Sequence, residues 1–256
     1  MHRALNLLRQ APHYRRDAFD AGLRAAGFDV VTDLRDPRPG DLLLTWNSYA
    51  GFGETGRAFA QRGATWLVAE NAPLGNGWRG GSWYSLAIGA VALTGGDFRP
   101  GGPERWDGWG VDLAPWRTGD ETVILAQRGI GAPGVRSPDR WAEQVRGRVG
   151  GRIREHPGTG PALPLADDLQ RAREVITWSS AAAVQALLLG VPVWHAHPHF
   201  VCAGAARPLA QFGKADPLRD DAERMEAFRR LAWAMWTLEE ITTGEPIARL
   251  ADRRSR

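Results

Sequence analysis

Thr177-Trp178-Ser179-Ser180 stands between the apolar pair Val175-Ile176 and an Ala/Leu-rich stretch, Ala181 to Leu189, closed by Gly190. The pattern reads as a buried strand, a polar turn and an apolar helix, with Ser180 where an N-cap belongs. Such a turn offers unpaired backbone N–H groups and the positive end of a helix dipole. Phosphate is the anion most often held this way. Upstream, Arg152-Ile153-Arg154-Glu155-His156-Pro157 reads as a short strand ending in a histidine. A neutral imidazole donates a hydrogen bond to an anion; a protonated one neutralises charge building on a leaving oxygen. By itself His156 reads more simply as a structural histidine at a strand end. Its pairing with the serine turn shifts the reading to an enzyme that grips a nucleotide mono- or diphosphate leaving group.

Further candidates follow from strand ends. Gln127-Arg128-Gly129 closes the run Thr122 to Ala126, and in open α/β sheets ligands bind beyond the carboxyl ends of strands. Gln127, Arg128 and Arg154 therefore join Ser179 and Ser180 as donor contacts, although Arg128 reads equally as a solvated side chain. In the first half, Asn47-Ser48 and Glu70-Asn71 also follow apolar runs and should face the same cleft. Glu70 is the carboxylate placed to take an acceptor hydroxyl's proton, or else an ordinary loop cap. Asp17 more simply begins a helix. Asn47, Asn71 and Trp78 are the acceptor contacts expected. His195-Ala196-His197-Pro198-His199 alternates as metal ligands can, but no carboxylate or cysteine spacing accompanies it, so no metal is expected.

The elements that must position these residues alternate as an α/β protein should. Leu5 to Leu8, Val30 to Thr32, Leu42 to Trp46 and Thr65 to Ala69 read as strands, with helices over Asp17 to Ala26 and Glu54 to Arg62. Runs this apolar suit a parallel sheet buried on both faces. From Asn76 to Arg117 the pattern dissolves among glycines, with a hairpin expected around Ala87 to Leu93. It resumes at Thr122. A helix follows from Pro138 to Val149, capped by Ser137, and another near Asp167 to Ala172. One long helix is expected over Asp220 to Ile241. Two Rossmann-like lobes result, 1–118 and 119–256, with a cleft between them and the terminal helix in the second.

The His156-Pro157 and Thr177-Trp178-Ser179-Ser180 pair, followed by the Ala/Leu-rich helix and Gly190-Val191-Pro192-Val193, resembles the C-terminal half of GT-B fold glycosyltransferases. It is most similar to the capsule-polysaccharide transferase and bacterial sialyltransferase group. The segments Arg230-Leu231-Ala232, Trp236 to Ile241 and Gly244 look like that group's tail, and Tyr14-Arg15-Arg16 to Val30 like its first βα unit. The resemblance implies that His156 and the serines hold the donor's phosphate. Many GT-B enzymes bind the ribose through a helix glutamate, and here Gln185 occupies that neighbourhood. The donor is left as CMP- or UDP-linked, used as co-substrate with no further cofactor.

Composition bounds the partners. Hydrophobic residues make up 43% and charged residues 24% of 256 residues, as in ordinary globular chains. No apolar run approaches a membrane span and no secretory signal opens the chain, so a cytoplasmic location is expected. The single Cys202 excludes an internal disulfide. Of 32 basic residues only Lys214 is lysine, and the net charge is +3. This arginine excess, with Arg249, Arg253, Arg254 and Arg256 near the end, keeps a hydroxymethylated base in viral DNA open as acceptor beside a surface or capsular saccharide. The alternatives are a nucleotide-sugar 2-epimerase, which needs no acceptor, and a non-catalytic nucleic-acid-binding protein. Oligomeric state is left open.

Overall fold

The computed structural model describes residues 2–158 and 163–251; Arg253, Arg254 and Arg256 lie outside them. The chain divides into two units: one runs to Pro100 and resumes at Trp233, and the other is Gly101–Ala232. In chain order the first contributes β1 (His2–Asn6), α1 (Arg16–Ala25), β2 (Phe28–Val31), β3 (Leu42–Trp46), α2 (Gly51–Gln61), β4 (Thr65–Asn71) and β5 (Trp83–Ile88). The second holds α3 (Glu104–Gly108), β6 (Glu121–Leu125), α4 (Trp141–Val149), β7 (Arg152–Arg154), α5 (Leu165–Asp168), β8 (Ala172–Thr177), α6 (Ala181–Leu188), β9 (Val193–His195), β10 (Arg207–Pro208) and α7 (Asp221–Ala232). The chain then returns to the first unit as β11 (Met235–Thr237), α8 (Leu238–Thr243) and α9 (Glu245–Ala251).

The first sheet has the order β11-β5-β4-β3-β1-β2. Its β2, β1, β3 and β4 are parallel; β5 runs antiparallel to β4, and β11, antiparallel to β5, points the same way as the parallel four. Leu42, Leu43 and Leu44 are fully buried, as the unbroken apolar run requires of a strand covered on both faces. Phe19, Leu23, Trp236, Ile241 and Ile247 pack with Leu44 on one face, and Phe59 and Trp66 with Leu43 on the other.

The second sheet, β10-β9-β8-β6-β7, is parallel throughout. In chain order its strands lie 2-1-3-4-5, a doubly wound arrangement whose order reverses between β6 and β8, where such sheets bind ligands. Buried Glu174 ties three strands together. Its carboxylate accepts from Thr122 Oγ1 (2.7 Å), Arg173 Nη2 (2.7 Å) and Trp194 Nε1 (2.9 Å). Burial alone would raise its pKa; these donors hold it below the usual carboxylate value.

Several expectations are corrected. The units part at residue 100, not 118, and the tail folds with the first unit. The helix expected over Asp220 to Ile241 stops at Ala232, because Met235 and Trp236 enter a strand paired with Ser85 and Tyr84. Thr237 then starts α8 with a capping box to Glu240. The region from Asn76 to Arg117 is less irregular than its glycines suggest, since it contains β5 and α3; Ala87 lies in β5, paired with Val68, and just beyond it the chain turns back so that Ile88 and Asp97 bridge antiparallel. Helix α4 starts at Trp141, not Pro138, after a turn in which the Trp141 N–H donates to the Pro138 carbonyl. The helix near Asp167 to Ala172 is a single turn, Leu165–Asp168, and Ala172 already belongs to β8.

Candidate functional site

Strand register sets the geometry of the second unit. Leu125 of β6 is level with Arg154 of β7 and Thr177 of β8, and Thr177 is level with His195 of β9. His156, Gln127, Ser179 and His197 each lie two residues beyond this common rung, so all four emerge at one carboxyl edge. With parallel strands about 4.8 Å apart, His156 and Ser179 flank Gln127 across about 10 Å.

Each side of that edge is built differently. Ser180 is the N-cap of α6, its Oγ accepting from Ala182 N–H at 3.2 Å and its own N–H donating to Thr177 Oγ1 at 2.8 Å. The capping hydroxyl is therefore occupied by the helix. Ser179 differs: its N–H donates to Gln127 Oε1 at 2.9 Å, while its hydroxyl has no partner among the described residues. Gln127, expected as a donor contact, uses its amide oxygen to hold the turn. Gln185, half-buried on α6, is also free of a side-chain partner among the described residues.

His156 is exposed, and its Nδ1 accepts from Gly158 N–H at 2.9 Å. That bond selects the tautomer with the proton on Nε2, leaving an outward donor. Partial burial, then the charges of Arg128 and Arg154, lower its pKa below the ordinary histidine value. Arg128 is exposed and forms no ion pair among the described residues. Arg154 departs from the expectation: its guanidinium is paired with Asp168, which also pairs with Arg152 at 2.9 Å. A cation already matched by a carboxylate has little charge left for a ligand.

A feature overlooked in the sequence completes the edge. Gly129-Ile130-Gly131-Ala132-Pro133-Gly134 follows β6 with the G-x-G-x-x-G spacing of phosphate-approach loops, and the pattern was legible. Its glycines take φ of 63°, 142° and 82°, which only glycine adopts without strain. It departs from the dinucleotide fingerprint in that α4 begins only at Trp141. The loop is braced by Trp178, whose Nε1 donates to the Val135 carbonyl at 2.7 Å.

The three alternating histidines hydrogen-bond among themselves, and the His197 ring packs edge-on against Trp178. His195 Nδ1 lies 2.9 Å from the His197 carbonyl, and His197 Nδ1 accepts from His199 N–H at 3.1 Å. Burial lowers the pKa of both His195 and His197. Among the described residues no group of three or more His, Cys, Asp or Glu side chains is arranged to hold a metal ion, and no helix is long and apolar enough to cross a membrane.

In the first unit the expected acceptor residues turn out to hold turns. Asn47 is buried at φ 64°; its Oδ1 accepts from Tyr49 N–H and its carbonyl from Thr45 Oγ1. Glu70 Oε1 accepts both the backbone and side-chain N–H of Asn71, each at 2.9 Å, and Asn71 Oδ1 accepts from Asn76. Trp78 packs edge-on against Trp83 at 5.2 Å. Asp17 is exposed beside Arg15 at 3.7 Å. What does gather at this sheet's own switch point, between β1 and β3, is a ring cluster. His13 and Tyr14 each meet Trp46, at 5.2 and 4.9 Å.

No protein-family model matches the chain, and no curated protein matches it. Among solved structures it is similar to Thermosulfurimonas dismutans KpsC, beta Kdo 2,7 transferase, with a TM-score of 0.56 at 11% identity, covering 98% of this chain and 100% of that one. It is also similar to the beta Kdo 2,4 transferase of the same organism's KpsC, with a TM-score of 0.55 at 15% identity over 89% of this chain and 90% of that one. These are likenesses of fold.

Proposed function

We propose that the protein is a glycosyltransferase of GT-B type that moves a sugar from a nucleotide-sugar donor to a saccharide hydroxyl. The observation that carries this reading is the single carboxyl edge shared by His156, Gln127 and Ser179 at the switch point of a doubly wound sheet. The fold likeness to two enzymes named as Kdo transferases supports the class of reaction and favours a saccharide acceptor over a modified DNA base. Neither the epimerase nor the nucleic-acid-binding alternative gains an observation of its own.

The chemistry follows from the donors at that edge. Bond cleavage at the anomeric carbon leaves negative charge on a phosphate oxygen. The Nε2–H of His156, the Ser179 hydroxyl, Arg128 and the first turn of α6 then stabilise that charge. Neutral His156 resists protonation until an anion binds and raises its pKa, after which it can pass a proton to the departing phosphate. Gln185 contacts the ribose. Glu70, at the carboxyl end of β4, is the carboxylate assigned to take the acceptor proton.

His156→Ala should lower turnover of a CMP- or UDP-sugar by about 10²-fold, the usual effect of removing one such donor. Unchanged turnover, with the fold intact by circular dichroism, would remove His156 from the mechanism.

A further inference from the structure

In the first unit the sheet order reverses between β1 and β3, and the loops leaving those two strands meet there. The loop after β1 brings His13 and Tyr14; β3 ends on Trp46. His13–Tyr14, His13–Trp46 and Tyr14–Trp46 contact edge to face at 5.1, 5.2 and 4.9 Å, and Tyr84 joins them 6.2 Å from Trp46. The Tyr84 hydroxyl donates to the His13 carbonyl at 3.0 Å and so fixes the loop that carries the rings. Trp46 and Tyr84 are buried, Tyr14 is half-buried and His13 is exposed. The core cluster thus reaches the surface as aromatic rings at the place where an open sheet takes its ligand.

Backbone strain marks the same two loops independently. Arg15 (φ 45°), Asn47 (φ 64°) and Ala50 (φ 51°, ψ −143°) are all left-handed without being glycine. The Ala50 conformation is nearly glycine-only, at a cost of about 1–3 kcal/mol. Strain of this kind collects where a fold holds a surface in one working shape.

We infer that exposed His13 and half-buried Tyr14, backed by the buried Trp46 ring, form a saccharide-ring subsite at the switch point of the first sheet. A pyranose presents a face of C–H bonds whose partial positive charge suits the negative face of an aromatic ring. Its hydroxyls need polar partners at the rim, where Arg15 and Asp17 face each other as a loose, solvent-exposed pair at 3.7 Å, one charge of each sign. Mixed charge of this sort suits a sugar and gives no net attraction to a polyphosphate backbone. The register places Trp46 level with Ala69, next to Glu70, so a ring stacked here lies at the strand end that carries the proposed base. The inference deepens the glycosyltransferase reading and rests on it, by making this subsite the acceptor's.

The probe is the methyl β-glycoside of Kdo, the sugar named for both structural neighbours, titrated into the full chain and followed by NMR. Saturable shifts of the Trp46 indole N–H and the His13 ring protons are expected. In His13→Ala, which keeps the carbonyl that Tyr84 uses, Kd should rise about three- to tenfold. Absence of shifts at Trp46, or an unchanged Kd in that variant, overturns the inference. A thermal shift with CMP and UDP on the same samples separates the two claims. A nucleotide response without a sugar response sinks the subsite alone, and a missing nucleotide response strikes the reading beneath it.

Discussion

Ser179 and Ser180 look interchangeable in the sequence and have different tasks in the structure. Ser180 Oγ caps α6, whereas the Ser179 hydroxyl has no partner among the described residues and is the one proposed for the phosphate. Ser180→Ala should therefore cost about 1 kcal/mol of stability, as N-cap losses do, measured by urea denaturation. Ser179→Ala should leave stability nearly unchanged and weaken the nucleotide-induced rise in Tm. If the two variants behave alike, the division of labour is wrong. The turn was legible because N-cap chemistry is local and written in residue type. The roles of Asn47 and Arg154 were not legible, since neither a left-handed φ nor a partner fourteen residues on in another element is written in the residue itself.

At the scale of elements, the β8–turn–α6 unit and the alternation of both sheets followed from apolar runs and glycine stops. The segment after Ala232 did not. Its apolar spacing continues a helix, but antiparallel pairing with β5, far away in sequence, draws Met235 and Trp236 into a strand. Tertiary pairing overrode a helical pattern. The returning α8 also packs closely on α1: a Cβ on Gly22 would sit 2.0 Å from the Ile241 carbonyl oxygen. Gly22→Ala should destabilise by about 1–3 kcal/mol through overpacking, read from the denaturation midpoint. A wild-type midpoint would show that the two helices can part without penalty.

For the whole molecule, the consequence of that return is that the first unit is discontinuous in sequence. Trp236, Ile241, Ile247 and Leu250 are fully buried in its core. At about 1.5–3 kcal/mol for each such side chain, their loss approaches the ~5–15 kcal/mol that holds an entire domain together. A chain ending at Ala232 should therefore lose the first unit's cooperative unfolding transition and its protected β1, β3 and β4 amides in hydrogen exchange. Retention of that protection would mean that the first sheet folds without its tail. The joint expected near residue 118 was misplaced for the same reason. Composition changes most visibly where regular pattern resumes at Thr122, yet contacts, not composition, decide which segment belongs to which core.

The central claim is that the carboxyl edge of the second sheet holds a nucleotide phosphate beside a neutral imidazole, and one titration tests it most directly. The His156 ring is followed by NMR against pH, with and without saturating nucleotide. Free, its pKa lies below the ordinary ~6.5, so His156 stabilises the fold above that value and ceases to as pH falls through its own pKa. With CMP or UDP bound, whichever raises the Tm, the facing phosphate should shift that pKa upward by at least about one unit. A His156 titration that does not move while the nucleotide is demonstrably bound would contradict the account.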